Sequence, residues 1–306
     1  MRKFNLGNSN ISVSAISLGC MRINNLEQDK AQNLIEKAYD LGINFFDHAD
    51  IYGKGKCEEI FGNILKKSYI KREDIIIQSK CGIIPGKMFD FSKKHILNSV
   101  DGILKRLNID YLDILLLHRP DALVEPEEVS EAFDTLYKQG KVKAFGVSNQ
   151  NSMQMELLKK YLNQNIVANQ LQFSIPHSSM ISSGLEVNML TSGAINRDGS
   201  VLDYCRLNNI TIQAWSPFQY GFFEGIFLDN EKYKELNSVI DDLAKKYNVT
   251  NMAIATSWIL RHPANMQVIV GTTNIERLEA ICKAVDIILT REEWYKIYIS
   301  AGNILP

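Results

Sequence analysis

A closed (β/α)8 barrel, an α/β fold of the TIM type with a β-hairpin ahead of its first strand, is predicted for this chain by three features of the sequence. Eight short, β-rich apolar runs are spaced along it, segments with helical periodicity lie between them, and no Gly-x-Gly-x-x-Gly follows any run. The first two features predict parallel strands joined by helical crossovers. The third weighs against a doubly wound open sheet, which shares the alternation but carries that glycine fingerprint.

The predicted strands are AISLG (15–19), INFFD (43–47), DIIIQSK (74–80), LDILLLH (112–118), AFGVSN (144–149), VANQLQ (167–172), ITIQAW (210–215) and QVIVG (267–271). Before them, LGNSNIS reads as the turn of a β-hairpin. Leu34, Ile35, Ala38 and Leu41 mark one helical face; Ile96, Val100, Ile103, Leu104 and Leu107 mark another behind a Ser92 N-cap. A third helix is expected from Pro126 to a stop at Gly140, burying Val129, Phe133, Leu136 and Tyr137. The stretches 173–199 and 216–230 are long for barrel loops, and long loops tend to carry function. A last helix is expected at 291–300, with the chain ending soon after at Pro306 and no long C-terminal loop.

A barrel of this kind accommodates all 306 residues as one domain, 1–306, and 45% apolar with 23% charged residues is ordinary for a chain with a large core. Lys plus Arg (34) nearly balances Asp plus Glu (35), which gives no attraction to nucleic acid or an anionic membrane. The basic start has no apolar stretch of a secretory signal, and no run approaches the roughly 18 apolar residues of a membrane span. The five cysteines, at 20, 57, 81, 205 and 282, form no CxxC pair and no zinc pattern, so no metal is expected; free thiols fit a cytoplasmic location. Nothing sets the oligomeric state, and a monomer is the default.

In such barrels the active site is built from the C-terminal ends of the strands. The predicted strands end at Asp47, Lys80, His118, Ser148-Asn149, Asn169-Gln170, Trp215-Ser216 and Gly271-Thr272-Thr273, and HADIYG carries Tyr52 just beyond the second. Each residue alone has a structural explanation: an Asp can cap a turn, a Lys can be solvated, a His can be held in hydrogen bonds, a Tyr can pack a loop. Together Asp47, Tyr52, Lys80 and His118 come from three successive strands on one face, and they make a proton-handling site. A phenol titrates near pH 10, so as an acid it needs help. Lys80 would lower its pKa, Asp47 would keep Lys80 charged, and His118 would orient a substrate oxygen. Such a group protonates an oxygen as negative charge develops on it, as reduction of an aldehyde or ketone requires.

Several blocks resemble the aldo-keto reductases, in particular the bacterial YdhF-like branch: GINFFDHADIYG (42–53), SKCG (79–82), YLDILLLHRPD (111–121), GKVKAFGVSN (140–149), NQLQFS (169–174), AWSPF (214–218) and VIVGTTNIERL (268–278). The resemblance implies that Asp47, Tyr52, Lys80 and His118 form the catalytic tetrad, with Tyr52 the general acid of an NADPH-dependent reduction, NADH being a second cofactor. It implies that Ser148, Asn149 and Gln170 hold the nicotinamide carboxamide, that Trp215 stacks on the nicotinamide, and that the segment from Ser216, Pro217 and Phe218 through Gly221 to Gly225 covers the pyrophosphate. Thr272, Thr273, Asn274 and Arg277 would meet the 2′-phosphate, with Gly19, Cys20, Met21 and Gly271 also contacting the cofactor. Gly271 replaces a basic residue of many relatives, and Ile281 an asparagine, which weakens the expected discrimination between NADPH and NADH.

Two other readings are compatible with the sequence: an NADP(H)-binding sensor or regulatory subunit with little turnover, and a barrel hydrolase or lyase working through Asp47 and His118. A panel of carbonyl compounds separates the first from a reductase, and protection from heat by NADPH, not by divalent metals, argues against the second. Arg22 or Arg119 in the pocket wall would favour an anionic carbonyl compound, or each would be a surface arginine paired with a carboxylate.

Overall fold

The computed structural model describes residues 1–303 apart from Asp198 and Phe223. Eight parallel strands close a barrel: β1 (Ile16–Gly19), β2 (Phe45–Asp47), β3 (Ile76–Cys81), β4 (Leu112–Leu117), β5 (Val142–Ser148), β6 (Ile166–Gln172), β7 (Thr211–Trp215) and β8 (Gln267–Val270). Each strand pairs with the next in sequence, and β8 closes the ring by setting Val268, Ile269 and Val270 against Ile16, Ser17 and Leu18. Each predicted run supplies one barrel strand. The predicted chain end at Pro306 lies outside the described residues.

The helices that return the chain follow from burial periodicity. In α1 (Gln28–Asp40), Ala31, Leu34, Ile35 and Ala38 face the strands, while Leu41 caps its end half-buried. Next come α2 (Lys56–Lys67) and α3 (Lys93–Leu107). In α3 the predicted five apolar residues are all buried, and Ser92 accepts a hydrogen bond from the amide of His95 as its cap. That face contributes roughly 1.5–3 kcal/mol per large side chain relative to leaving it in water. α4 (Pro126–Lys138) opens on its proline and gives way to Gly140 at φ 69°. Tyr137 departs from expectation: it stands 56% exposed, on the far side from Val129, Phe133 and Leu136, and Ala132 fills the inner face instead.

The remaining helices are α5 (Ser152–Lys159), α6 (Ser179–Leu185), α7 (Val201–Leu207), α8 (Lys234–Tyr247), α9 (Asn251–Leu260), α10 (Ile275–Cys282) and α11 (Arg291–Ser300). The loop expected at 173–199 contains α6 and a 3-10 turn at Ser192–Ala194, Asp198 lying outside the described residues. The one expected at 216–230 folds into a small antiparallel pair, Gln219–Tyr220 with Gly225–Ile226, and Phe223 in it also lies outside them.

Most of the core lies between barrel and helices. A smaller apolar cluster fills the barrel itself, where Phe45, Ile114, Leu116, Ala144, Val167 and Ala168 meet Leu6 and Val13 of the N-terminal hairpin. That hairpin, Lys3–Asn5 with Ser12–Ser14, is the predicted one. It plugs the end of the barrel where the strands begin. Gly7 in its turn has φ 53°, donates to Thr211 Oγ1 at 2.7 Å, and lies so close to the carbonyls of Val167 and Asn209 that a Cβ would collide with both. The opposite end, where the strands finish, stays open.

Candidate active site

Side-chain alternation along β3 sorts the site. Residues two apart share a face of a strand, so Gln78 and Lys80 both point into the barrel while Ser79 points out. Ser79 donates to Glu58 on α2 at 2.6 Å, and Glu58 also takes Arg106 of α3 at 2.7 Å, so this outward pair of contacts locks strand to helices. Inward, Lys80 is fully buried at the finishing end of the strand. Its ammonium donates to Asp47 Oδ2 at 2.8 Å, to the carbonyl of His48 at 2.7 Å and to the Tyr52 hydroxyl at 3.1 Å.

Each partner is placed by its own stretch of chain. Asp47 ends β2, beside Gly19 on β1 and Gln78 on β3 in register. Tyr52 opens a 3-10 turn (Tyr52–Gly55) made possible by Gly53 and Gly55 at positive φ, and the amide of Asp50 ties this turn to the carbonyl of Lys80 at 3.0 Å. His118 follows β4, its amide bonded to Cys81 of β3 at 2.9 Å, and its ring stands edge-on to Tyr52 with centroids 6.1 Å apart. The four residues of the expected tetrad therefore meet.

The electrostatics modify the sequence argument. Burial works against the Lys80 charge, but Asp47 and Tyr52 together outweigh it and hold the ammonium above its ordinary value. For Tyr52, burial is the largest influence and pushes the phenol up; Lys80 pulls it back only in part, so the net shift is upward, not downward as expected from the sequence. Burial first, then Lys80 and Arg119, drives His118 well below its usual value, so its ring is neutral at pH 7. The resting site thus has a neutral phenol with its proton in place, a charged ammonium beneath it, and a neutral imidazole beside it.

Behind Asp47 lies a layer that the sequence analysis missed. Asp47 Oδ1 accepts from Gln78 Nε2 at 2.7 Å and from Gln170 Nε2 at 3.0 Å; the Gln78 amide also reaches Gln213 Oε1 at 2.9 Å. Gln213 in turn donates to Gln267 at 2.9 Å, and Gln267 to the carbonyl of Ser14 at 2.8 Å. Glutamines are unexceptional in a sequence, and only the barrel register, which sets Gln170 beside Gln213 and Gln213 beside Gln267, brings them into one ring.

A cleft of about 370 Å³ opens over the tetrad and runs to the start of α10. Its walls include Gly19, Met21, Asp47, Tyr52, His118, Ser148, Asn149, Gln170, Trp215, Ser216, Pro217, Phe218, Gly271, Thr272 and Arg277. Cys20 is not among them; it is fully buried, with its thiol turned toward the Leu18 carbonyl at 3.7 Å. Gly221 is not either, its carbonyl taking Gln172 Nε2 at 2.6 Å, and Thr273 and Asn274 also stand outside. Asn274 caps α10 by accepting from the Arg277 amide at 2.7 Å. Sequence reasoning had passed over Ile51, Ile83, Gln219, Met252 and Ile269, which add apolar and amide wall. A larger open depression of about 780 Å³, near the hairpin and α7, lies where the strands begin, away from this chemistry.

The chain matches the profile of the aldo/keto reductase family over residues 15–300. It belongs to that family. The oxidoreductase YcsN of Bacillus subtilis is 34% identical over 97% of both chains, and the oxidoreductase YdhF of Escherichia coli is 31% identical over 89% of this chain and 88% of its own. Among solved structures, the thermostable aldo-keto reductase Tm1743, crystallised with the inhibitor epalrestat, superposes with a TM-score of 0.80 at 27% identity, covering 98% of this chain and all of that one. The resemblance to the YdhF-like branch thus extends along the whole barrel. As an aldo-keto reductase, the protein is an oxidoreductase of carbonyl and alcohol groups that uses a nicotinamide dinucleotide.

The cleft suits such a cofactor. It is continuous from Tyr52 and His118 at one end to Arg277 and Ile281 at the other, and Arg277 has no ion pair among the described residues. Because the Gln170 amide nitrogen is already committed to Asp47 and Gln213, its carbonyl oxygen is the atom left to accept from a carboxamide. Asn149 sits at φ 56°, in the left-handed region that asparagine tolerates, and its amide donates to Ser148 Oγ at 2.7 Å.

Proposed function

We propose that this aldo-keto reductase reduces an aldehyde or ketone to the alcohol with NADPH in preference to NADH, and that Tyr52 is the general acid. The observation that carries the reading is the continuous chain from Asp47 through Lys80 to the Tyr52 hydroxyl, opening on a cleft that also holds His118. When bound, NADPH supplies the hydride that adds to the carbonyl carbon. The substrate oxygen takes the Tyr52 proton as the hydride arrives, so a neutral phenol is the competent form before reaction. The phenolate left behind faces the Lys80 ammonium, which stabilises it most at the moment charge develops. His118, neutral, donates one N–H to the same oxygen and fixes its direction.

Cofactor placement in this reading uses Ser148, Asn149 and Gln170 around the carboxamide, Trp215 under the ring, and Ser216, Pro217, Phe218 and Gly221 beside the pyrophosphate. Gly19, Met21 and Gly271 line its path, Cys20 supporting from beneath. Thr272 and Arg277 would hold the 2′-phosphate, the planar guanidinium being able to bond two oxygens, with Thr273 leading into α10 and Asn274 capping it behind them. Five buried, unpaired cysteines support a reducing, cytoplasmic setting.

The test is Tyr52→Phe, measured by NADPH oxidation with a panel of aldehydes, dicarbonyls and quinones and by quenching of tryptophan fluorescence on titration with NADPH. Turnover should fall about 10²- to 10⁴-fold with cofactor affinity within a factor of three. Unchanged turnover would remove Tyr52 from the mechanism, and tight NADPH binding by the wild type without reduction of any compound would favour a sensor.

A further inference from the structure

Arg119 is a half-buried cation at the reacting end of the cleft that the tetrad leaves without work. It follows His118 directly, so the same strand end that delivers the imidazole also delivers the guanidinium to the cleft wall. The guanidinium carbon lies 5.9 Å from the centre of the Trp215 ring and 5.7 Å from that of Phe222. Both rings lie within cation–π reach of the guanidinium, and no hydrogen bond among the described residues takes up its N–H groups.

Two other part-buried arginines are paired with carboxylates, and a third, Arg261, donates to the Leu289 carbonyl at 2.7 Å. Arg72 pairs with Asp113 and Arg106 with Glu58, each at 2.7 Å, and Lys80 pairs with Asp47 at 2.8 Å. Arg119 is half-buried as they are, yet among the described residues no carboxylate lies within ion-pair distance of it. Holding a cation there costs desolvation that no carboxylate among the described residues offsets, and burial depresses its pKa accordingly. Within the cleft the bookkeeping of charge is equally one-sided. Asp47 answers Lys80, Arg277 stands at the far end, and Arg119 remains next to His118 with Arg22 at the exposed rim.

We propose that Arg119 selects carbonyl substrates bearing a carboxylate a few bonds from the carbonyl, by a two-pronged bond between its N–H edge and the carboxylate oxygens. The proposal rests on the reductase reading above and names its substrate class. A single guanidinium with unused N–H groups matches one planar carboxylate, and the apolar cleft walls Ile51 and Ile83 suit the hydrocarbon that joins carboxylate to carbonyl. The carboxylate would stand in for the missing ion-pair partner, and the carbonyl oxygen would then fall toward Tyr52 and His118.

The experiment compares 4-formylbenzoate with its neutral methyl ester in wild type, Arg119→Met and Arg119→Lys, measuring kcat/KM for each and NADPH affinity by fluorescence. The wild type should favour the carboxylate. Arg119→Met should cut the ratio of the two kcat/KM values by about 10- to 100-fold, chiefly through KM, as loss of a charge-assisted bond requires, and Arg119→Lys should keep part of it. No preference in the wild type, or the same ratio in Arg119→Met, overturns the proposal while leaving the reductase reading intact. A fall in NADPH affinity with an unchanged ratio also overturns it, assigning the guanidinium to the cofactor. Absence of turnover with both compounds and with the wider panel overturns the reductase reading and this proposal together.

Discussion

Replacing Asp47 with Asn tests the electrostatic core of the site most directly. Lys80 is fully buried, and its ammonium has three acceptors: a carboxylate at 2.8 Å, a carbonyl at 2.7 Å and a phenol at 3.1 Å. The substitution keeps the shape and removes the charge. The new amide oxygen would be claimed by Gln78 and Gln170, which already donate to Asp47 Oδ1, and this turns the amide NH2 toward the ammonium, donor against donor. Breaking a buried ion pair from one side costs about 3–5 kcal/mol, because the remaining charge is left uncompensated. For domains of 150–250 residues 1 kcal/mol corresponds to roughly 2–4 °C, so a fall in Tm on the order of 6–20 °C is expected at pH 7.

The pH dependence gives the sign. In the wild type the folded pKa of Lys80 is raised above the unfolded value of about 10.4, so its contribution is complete below that pH and is lost as pH rises through the folded value. In Asp47→Asn burial dominates and the folded pKa drops below about 10.4, so the variant should gain stability as pH rises toward that value. Thermal and urea unfolding from pH 7 to 10, followed by circular dichroism, read both effects. A loss below about 1 kcal/mol with no difference in slope would mean that Lys80 is neutral in the folded protein, and the account of Tyr52 would fall with it.

Arg277→Ala should weaken NADPH by about 10- to 100-fold and NADH by less than threefold, read by fluorescence titration; equal weakening of both would refute the 2′-phosphate assignment. Gly7→Ala should destabilise the fold by at least about 2 kcal/mol, since it adds left-handed strain to a collision with two carbonyls, and urea unfolding at the wild-type level would contradict the packing of the hairpin turn.

What the sequence reveals and what it hides follow from the range of each signal. Strands flanked by turns and helices with one apolar stripe are local patterns, so all eight barrel strands, the faces of α1 and α3, and that of α4 apart from Tyr137 were legible. In α9 every residue from Ala253 to Leu260 is buried, which erases the period that marks a helix, and the two-residue strands Ile83–Ile84 and Met88–Phe89 are too short to show one. The tetrad was legible because strand ends in a barrel share a face; its surroundings were not, because they depend on which neighbours desolvate it. The upward shift of Tyr52 is the example. The Lys80 contact was foreseeable, whereas the burial that outweighs it exists only once the barrel end around Tyr52, His118 included, is assembled.

The glutamine ring accounts for how so polar a site coexists with an apolar barrel. An aspartate with two free oxygens beneath a lysine could rotate away from it. Here Gln78 and Gln170 fix one oxygen, so the other is aimed at Lys80, and Gln213 and Gln267 fix those glutamines in turn down to the Ser14 carbonyl, where the hairpin begins to plug the barrel. Each of the four glutamines donates within this chain, and Gln213 and Gln267 also accept, so amides that would be costly to bury alone are bonded to one another and to Asp47. Precision at the Tyr52 hydroxyl is therefore a property of the barrel register, which a one-residue slip in β6, β7 or β8 would abolish by turning a glutamine outward.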